Sequence, residues 1–363
     1  MRPQFWNYSR GDPHEISNTD SLGSQKLDVA NCDFKKDTEP INALKDPARA
    51  VSPQPRRPDD TTPADAELSF AKKARYLLEY VPLSVVAAFF YVLPRKTALK
   101  LSAALGRLVG KIMRGRTALA KRNLKLLLPD APDSELSRII SDCWANLGMV
   151  FSDLVQISKY SREKYLSEHA IMGMEHVRKS LEKGRGALIV TAHIGSWELS
   201  GQCFPFMDIP TAMIARRIKN PHVDRFVNRM RRFNGNAVIP ARDAVRKSIR
   251  WLASGKSLAV MIDHRVAEGG LNIPLFGRPA ATTTLPALLA LRYDVPVHTL
   301  QMQREGESLR IVLSPEISFT DLAGRPDAIL EATARMNRML ESWVREKPHE
   351  WLWIHNRWKM ERE

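Results

Sequence analysis

Apolar positions follow no period through the first 66 residues, which hold 8 of the chain's 23 prolines. Such a stretch cannot bury enough surface to offset its ordering entropy, so it predicts an unstructured tail. The pattern changes at Lys72, Lys73 and Arg75. A largely apolar segment follows from Tyr76 to Leu93, closed by Pro94, Arg95 and Lys96. Its uninterrupted core, Val81 to Leu93, is 13 residues long with Pro82 and Ser84 inside, shorter than the roughly 20 residues of a full span. Basic flanks and Tyr76, Tyr80 and Tyr91 nonetheless suit a membrane contact, as a short anchor or an interfacial helix. A buried core helix is the competing reading. A second amphipathic stretch, Ala98 to Met113, interleaves Lys100, Arg107 and Lys111 with Leu, Val and Ile, which would reinforce attachment to anionic lipid.

From Asp133 to Ile157 the apolar spacing is helical. Beyond it the texture alternates. Short β-rich runs at Ala187 to Thr191, Leu258 to Ile262, Val295 to Gln301 and Leu309 to Leu313 are separated by helix-like segments near 222–233, 242–253, 284–293 and 326–346. Strands interleaved with helices predict an α/β fold with a mixed, largely parallel central sheet flanked by helices, preceded by an N-terminal membrane-associated helical segment.

Charge sharpens this picture. Lys and Arg outnumber Asp and Glu by 55 to 40, and residues 1–66 contribute 9 bases against 11 acids, so the rest carries +17. That field favours anionic partners such as phospholipid, phosphorylated substrates, acidic proteins or nucleic acid. Cys32, Cys143 and Cys203 are too few and too scattered for a disulfide framework or a zinc site, and no His/Cys pairing suggests another metal. The polar N-terminus lacks a secretory h-region.

The richest chemistry lies in Thr191-Ala-His-Ile-Gly-Ser-Trp-Glu198. The preceding strand delivers His193 to its C-terminal end, where α/β sheets place ligands. Gly195 permits a tight turn, Ser196 is a plausible cap, and Glu198 falls in the first turn of a helix. A carboxylate on one imidazole nitrogen would orient the ring and stabilise its charged form while the other nitrogen acts as a base, and Glu198 is the nearest candidate for that part. The spacing alone is common by chance.

Further blocks follow in order: Ala215-Arg-Arg-Ile-Lys-Asn-Pro221, Asn228-Arg-Met-Arg-Arg-Phe-Asn-Gly235, Val260-Met-Ile-Asp263, Ile273-Pro-Leu-Phe-Gly-Arg-Pro-Ala280 and Trp351-Leu-Trp-Ile-His-Asn-Arg-Trp-Lys359. Together with Arg122-Asn-Leu-Lys-Leu-Leu-Leu-Pro129, this series resembles the bacterial lipid A biosynthesis acyltransferases, within the wider His-x4-Asp/Glu acyltransferase group. The resemblance runs from about Phe70 to Lys359. It implies transfer of a fatty acyl chain from acyl carrier protein to a hydroxyl of a lipid A precursor, at the cytoplasmic face of the inner membrane and without a cofactor. By the same resemblance His193 is the general base and Glu198 its orienter, and no acyl-enzyme is formed, in keeping with the lack of a Gly-x-Ser-x-Gly elbow. Arg231 and Asp263 match the family's other polar site residues. Arg231 could bind a phosphate or an oxyanion, with Asp263 holding it in place. Arg216 opens a basic run to Arg232 suited to anionic substrates, and His264 is assigned no role. Trp351, Trp353 and Trp358 fit either a core or an aromatic edge near headgroups.

The expected organisation is a tail over 1–66, a membrane-associated helical segment over 67–115 and an acyltransferase domain over 116–363. A phosphate-loop reading of Gly255-Lys-Ser257 fails, because position 250 is Arg and a strand follows where that motif requires a helix. A basic nucleic-acid-binding protein is disfavoured because no nucleic-acid module is recognisable. An acyltransferase acting on another membrane glycolipid or phospholipid stays open as the nearer alternative.

Overall fold

The computed structural model describes residues 69–242, 244–266 and 270–358. The proline-rich tail of 1–66 and Lys359 lie outside them. The described chain opens with three helices, α1 (Phe70–Val92), α2 (Arg95–Ile112) and α3 (Arg114–Leu124), followed by the long α4 (Asp133–Gln156). It continues through α5 (Arg162–Glu168), β1 (Ala170–Met172), α6 (Met174–Glu182), β2 (Ala187–Thr191) and the short α7 (Trp197–Ser200) and α8 (Cys203–Phe206). Then come β3 (Thr211–Ala215), α9 (Pro221–Arg232), β4 (Ala237–Pro240), α10 (Ala244–Ala253) and β5 (Ser257–Met261). The last part comprises β6 (Gly270–Leu275), β7 (Arg278–Thr283), α11 (Leu285–Tyr293), β8 (Val297–Glu305), β9 (Ser308–Leu313) and α12 (Ala328–Glu346).

Seven strands form one sheet in the order β1-β9-β8-β2-β5-β3-β4. All neighbours run parallel except the β8–β9 hairpin, which makes the sheet mixed and largely parallel. Every residue of β2 is buried, as its unbroken apolar run requires of a strand covered on both faces. Register matters most between β2 and β5, where Thr191 sits opposite Met261. The loops leaving both strands therefore emerge side by side.

A separate antiparallel hairpin, β6–β7, packs against α12, with Asn337 Nδ2 donating to the Pro274 carbonyl at 3.2 Å. Its two-residue turn takes positive φ at both Phe276 (51°) and Gly277 (73°), the twist that suits a tight hairpin. Phe276 is thereby turned inward against Trp351 and Trp353. Trp351 and Trp353 are buried, which places them in the core rather than at a headgroup edge.

Helices α2 and α4 meet through glycine. A Cβ on Gly148 would lie 1.9 Å from the Ser102 carbonyl oxygen, and one on Gly106 would lie 2.1 Å from that of Trp144, so only hydrogen fits at the crossing. Beneath the sheet's C-terminal edge the buried carboxylate of Asp153 on α4 accepts from Arg95 at 2.8 Å, from Arg304 and from Ser196 Oγ at 2.5 Å. Burial pushes its pKa up, yet the two guanidinium groups prevail and hold it below the usual range. One carboxylate thus joins the start of α2, strand β8 and the loop after β2. Ser196 is spent on this bond and makes no helix-capping hydrogen bond, contrary to the expectation from sequence.

Candidate active site

His193 stands just past β2 and Asp263 just past β5, on adjacent parallel strands in matched register. Asp263 is buried and grips His193 twice. Its Oδ1 lies 2.8 Å from His193 Nδ1, and its Oδ2 accepts the His193 backbone N–H at 2.9 Å. The same Oδ2 accepts the Trp351 indole N–H at 2.9 Å. Burial opposes the charge on Asp263, but the neighbouring histidine and the hydrogen bonds outweigh it and hold the carboxyl far below its ordinary pKa. An ionised Asp263 fixes the proton of neutral His193 on Nδ1, which leaves Nε2 as a lone-pair acceptor; among the described residues Nε2 has no hydrogen-bond partner.

The expected pairing of His193 with Glu198 is replaced by a different one. Glu198 binds Arg231 of α9 as a fork, accepting from Nε at 3.0 Å and Nη2 at 2.6 Å. Both partners are largely buried, with side-chain exposures of 19% for Arg231 and 9% for Glu198. The physical reason lies in the junction. Gly195, at φ 57°, turns the chain into α7, so Glu198 faces α9, while strand register has already given the His193 nitrogen to Asp263. Asp263 accordingly does not hold Arg231. Burial lowers the Arg231 pKa, and Glu198 more than restores it.

Of the basic run, Arg231 alone is drawn in to Glu198; Arg225, Arg229 and Arg232 of α9 are exposed. Arg216 is exposed beyond the end of β3 and touches none of the other predicted site residues by hydrogen bond. It is close enough that its charge contributes to keeping His264 neutral.

Sequence reasoning missed a stack of three imidazoles. His264 lies flat on His193, with ring centroids 4.0 Å apart and planes 6° from parallel, and His355 lies on His264 at 4.3 Å and 19°. Burial pushes the His264 pKa down to about 3 and that of His355 down to about 4, with His193 reinforcing both shifts. His355 Nε2 accepts the Arg265 backbone N–H at 3.2 Å, as a neutral ring does. The available signal was the presence of both residues in the ordered blocks, but nothing local marked them as neighbours. The segment carrying His355 also pins the His193 loop: Leu352 N–H donates to the His193 carbonyl at 3.1 Å and Gly195 N–H to the Glu350 carbonyl at 3.1 Å.

A largely parallel α/β sheet thus presents an Asp-oriented histidine at the C-terminal ends of its central strands, with an arginine clamped by Glu198 of the following helix, an arrangement of the kind found in enzyme sites. Residues 67–360 match the family described as bacterial lipid A biosynthesis acyltransferase, and the chain belongs to that family. It is 24% identical over 290 residues to the lipid A biosynthesis palmitoleoyltransferase of Escherichia coli (strain K12), covering 78% of this chain and 92% of the relative. The lauroyltransferase of the same organism is 24% identical over 289 residues with the same coverage. The phosphatidylinositol mannoside acyltransferase of Mycolicibacterium smegmatis is 22% identical over 222 residues, covering 57% of this chain and 72% of the relative.

Proposed function

We propose that the enzyme moves a fatty acyl chain from the thioester of acyl carrier protein to a hydroxyl of a lipid A precursor at the cytoplasmic face of the inner membrane. The observation that carries the chemistry is the His193–Asp263 bond, which leaves Nε2 unoccupied at the C-terminal end of β2. His193 Nε2 takes the proton of the acceptor hydroxyl as its oxygen attacks the thioester carbonyl. Asp263 steadies the imidazolium that forms. The C–S bond then breaks, and the proton passes from Nε2 to the departing thiolate, so no acyl-enzyme is required. Glu198 occupies Nε and Nη2 of Arg231 and leaves Nη1 for an anionic group, either the oxyanion of the tetrahedral intermediate or a substrate phosphate. Exposed Arg216 and the outer face of α9 add a positive field for the acidic carrier and the phosphorylated acceptor.

The test is acyl transfer by purified enzyme, with acyl carrier protein thioester as donor and a lipid A precursor as acceptor, for wild type and His193→Ala. Product from the wild type and none from the variant is the expected result; full activity in His193→Ala would sink the mechanism. A mannosylated phosphatidylinositol acceptor belongs in the same assay, because one relative is named for that lipid. Transfer to it alone would move the acceptor to another anionic glycolipid.

A further inference from the structure

Helix α1 has 23 residues, about 34 Å at 1.5 Å per residue, enough to cross a hydrocarbon core of about 30 Å. Length and composition therefore leave its orientation open, but its attachments decide it. Near its start Asn220 Nδ2, at the head of α9, donates to the Tyr76 carbonyl at 2.9 Å and to Glu79 at 3.1 Å, while His222 stacks on Tyr80 at 5.4 Å. Near its end Gln156 Nε2, on α4, donates to the Phe90 and Leu93 carbonyls at 2.8 and 3.0 Å. Lys159 adds a bond to Leu93 and lies over the Tyr91 ring. The less exposed positions Tyr76, Tyr80, Leu83, Ala87 and Phe90 recur at helical spacing, so one face rests on the enzyme from Tyr76 to Phe90.

We infer that α1 lies in the plane of the membrane surface, as half of an in-plane docking face shared with α2, and does not cross the bilayer. If it crossed, its attachments at Tyr76–Glu79 and Phe90–Leu93, only about 21 Å apart along the helix, would fall within a core of about 30 Å, so the head of α9 with its exposed Arg225, Arg229 and Arg232, or the end of α4, would have to enter the hydrocarbon. The outer face of α1 carries Leu78, Val81, Val85, Phe89 and Val92, with Val85 63% exposed. That of α2 carries Leu101, Leu105, Leu108 and Ile112, with Leu108 54% exposed. Leu105 and Pro82 also wall an apolar groove of about 440 Å³ between the two helices, so the two stripes are continuous across it. Exposed Lys100, Arg107 and Lys111 flank the α2 stripe, and Lys72, Lys73 and Arg75 lead into α1. An apolar face edged by cations fits an anionic phospholipid surface whose acyl chains fill the groove.

This shares with the proposed function only the premise that the enzyme works at a membrane. The test places single cysteines at exposed Ser69 and Lys96, on either side of α1, in the full chain carrying Cys32→Ser; Cys143 and Cys203 are buried. Sealed inverted and right-side-out membrane vesicles are then treated with a membrane-impermeant maleimide. Labelling of both positions from the same side is expected, and labelling from opposite sides overturns the inference. In a second measurement, Val85→Lys and Leu108→Lys should each lower partition onto phosphatidylcholine/phosphatidylglycerol vesicles by tenfold or more, and unchanged partition would also overturn it. Acyl transfer assayed in detergent micelles reports separately on the chemistry, so either reading can fail while the other stands.

Discussion

Asp263 and His193 stand 70 residues apart in sequence, yet one carboxylate holds both the ring Nδ1 and the backbone N–H of the histidine. Such a grip fixes the ring's tautomer as well as its position, and the same relation gives the sharpest prediction. In Asp263→Asn the amide can donate to Nδ1, which drives the ring proton to Nε2 and removes the base. kcat should fall by a factor on the order of 10³ to 10⁴, the scale seen when the same exchange sets the wrong tautomer in other histidine-dependent enzymes. KM should change little. Steady-state kinetics of acyl transfer on the folded variant provide the check.

Glu198 and Arg231 should behave as one unit. Their fork is largely buried, so losing either partner strands the other. In a double-mutant cycle of Glu198→Gln and Arg231→Gln, the coupling free energy should be roughly 1 to 3 kcal/mol in stability. Additive effects would show that the pair contributes nothing jointly. Arg231→Lys keeps the charge and loses the fork, and its activity should resemble that of Arg231→Gln more than wild type.

Asp153 is the shared counter-charge of Arg95 and Arg304 in a buried setting. Asp153→Ala leaves both guanidinium groups short of their counter-charge and frees Ser196, and it should cost about 3 to 5 kcal/mol of stability. Denaturant unfolding would measure this. Activity should suffer as well, because Ser196 belongs to the loop that carries His193.

Acidification should destabilise the protein before its carboxylates protonate. His264 and His355, with folded values of about 3 and about 4, take up protons in the unfolded chain near its ordinary value but stay neutral when folded. The unfolded state then binds more protons, so stability is complete above about pH 6.5 and falls as the pH drops from there toward about 4. The depressed carboxyl of Asp263 adds a further loss below about pH 4. Melting temperature followed from pH 7.5 to 4.5 should decline, and less steeply in His264→Gln and His355→Gln.

The elements with long or strongly patterned signals were legible in the sequence: β2, β5, β8 and β9, and helices α4, α9, α10, α11 and α12 lie within a few residues of their expected places. The strands that escaped notice are β3 (Thr211–Ala215), a five-residue interior strand whose last three positions are only partly buried, and several that are short or unusual. Ala237–Pro240 is an edge strand ending in proline, Ala170–Met172 has three residues, and the β6–β7 hairpin carries Pro274 and Pro279 facing each other. The site followed the same logic. His193, Glu198, Arg231 and Asp263 could all be named from ordered blocks, but their pairing could not, because sequence proximity favoured Glu198 for a partner that β2–β5 register assigns to Asp263. Nothing in the local pattern around His355 connects it with His264, since that contact is made only by tertiary folding.

The segment from Glu350 to His355 braces the His193 loop, holds Asp263 through Trp351 and closes the imidazole stack. One short stretch therefore sets the geometry of three groups at once. A shift of its backbone would loosen the His193 loop, remove an indole bond from Asp263 and unstack the rings together, so the order of the loop after β2 is inherited from a segment far along the chain.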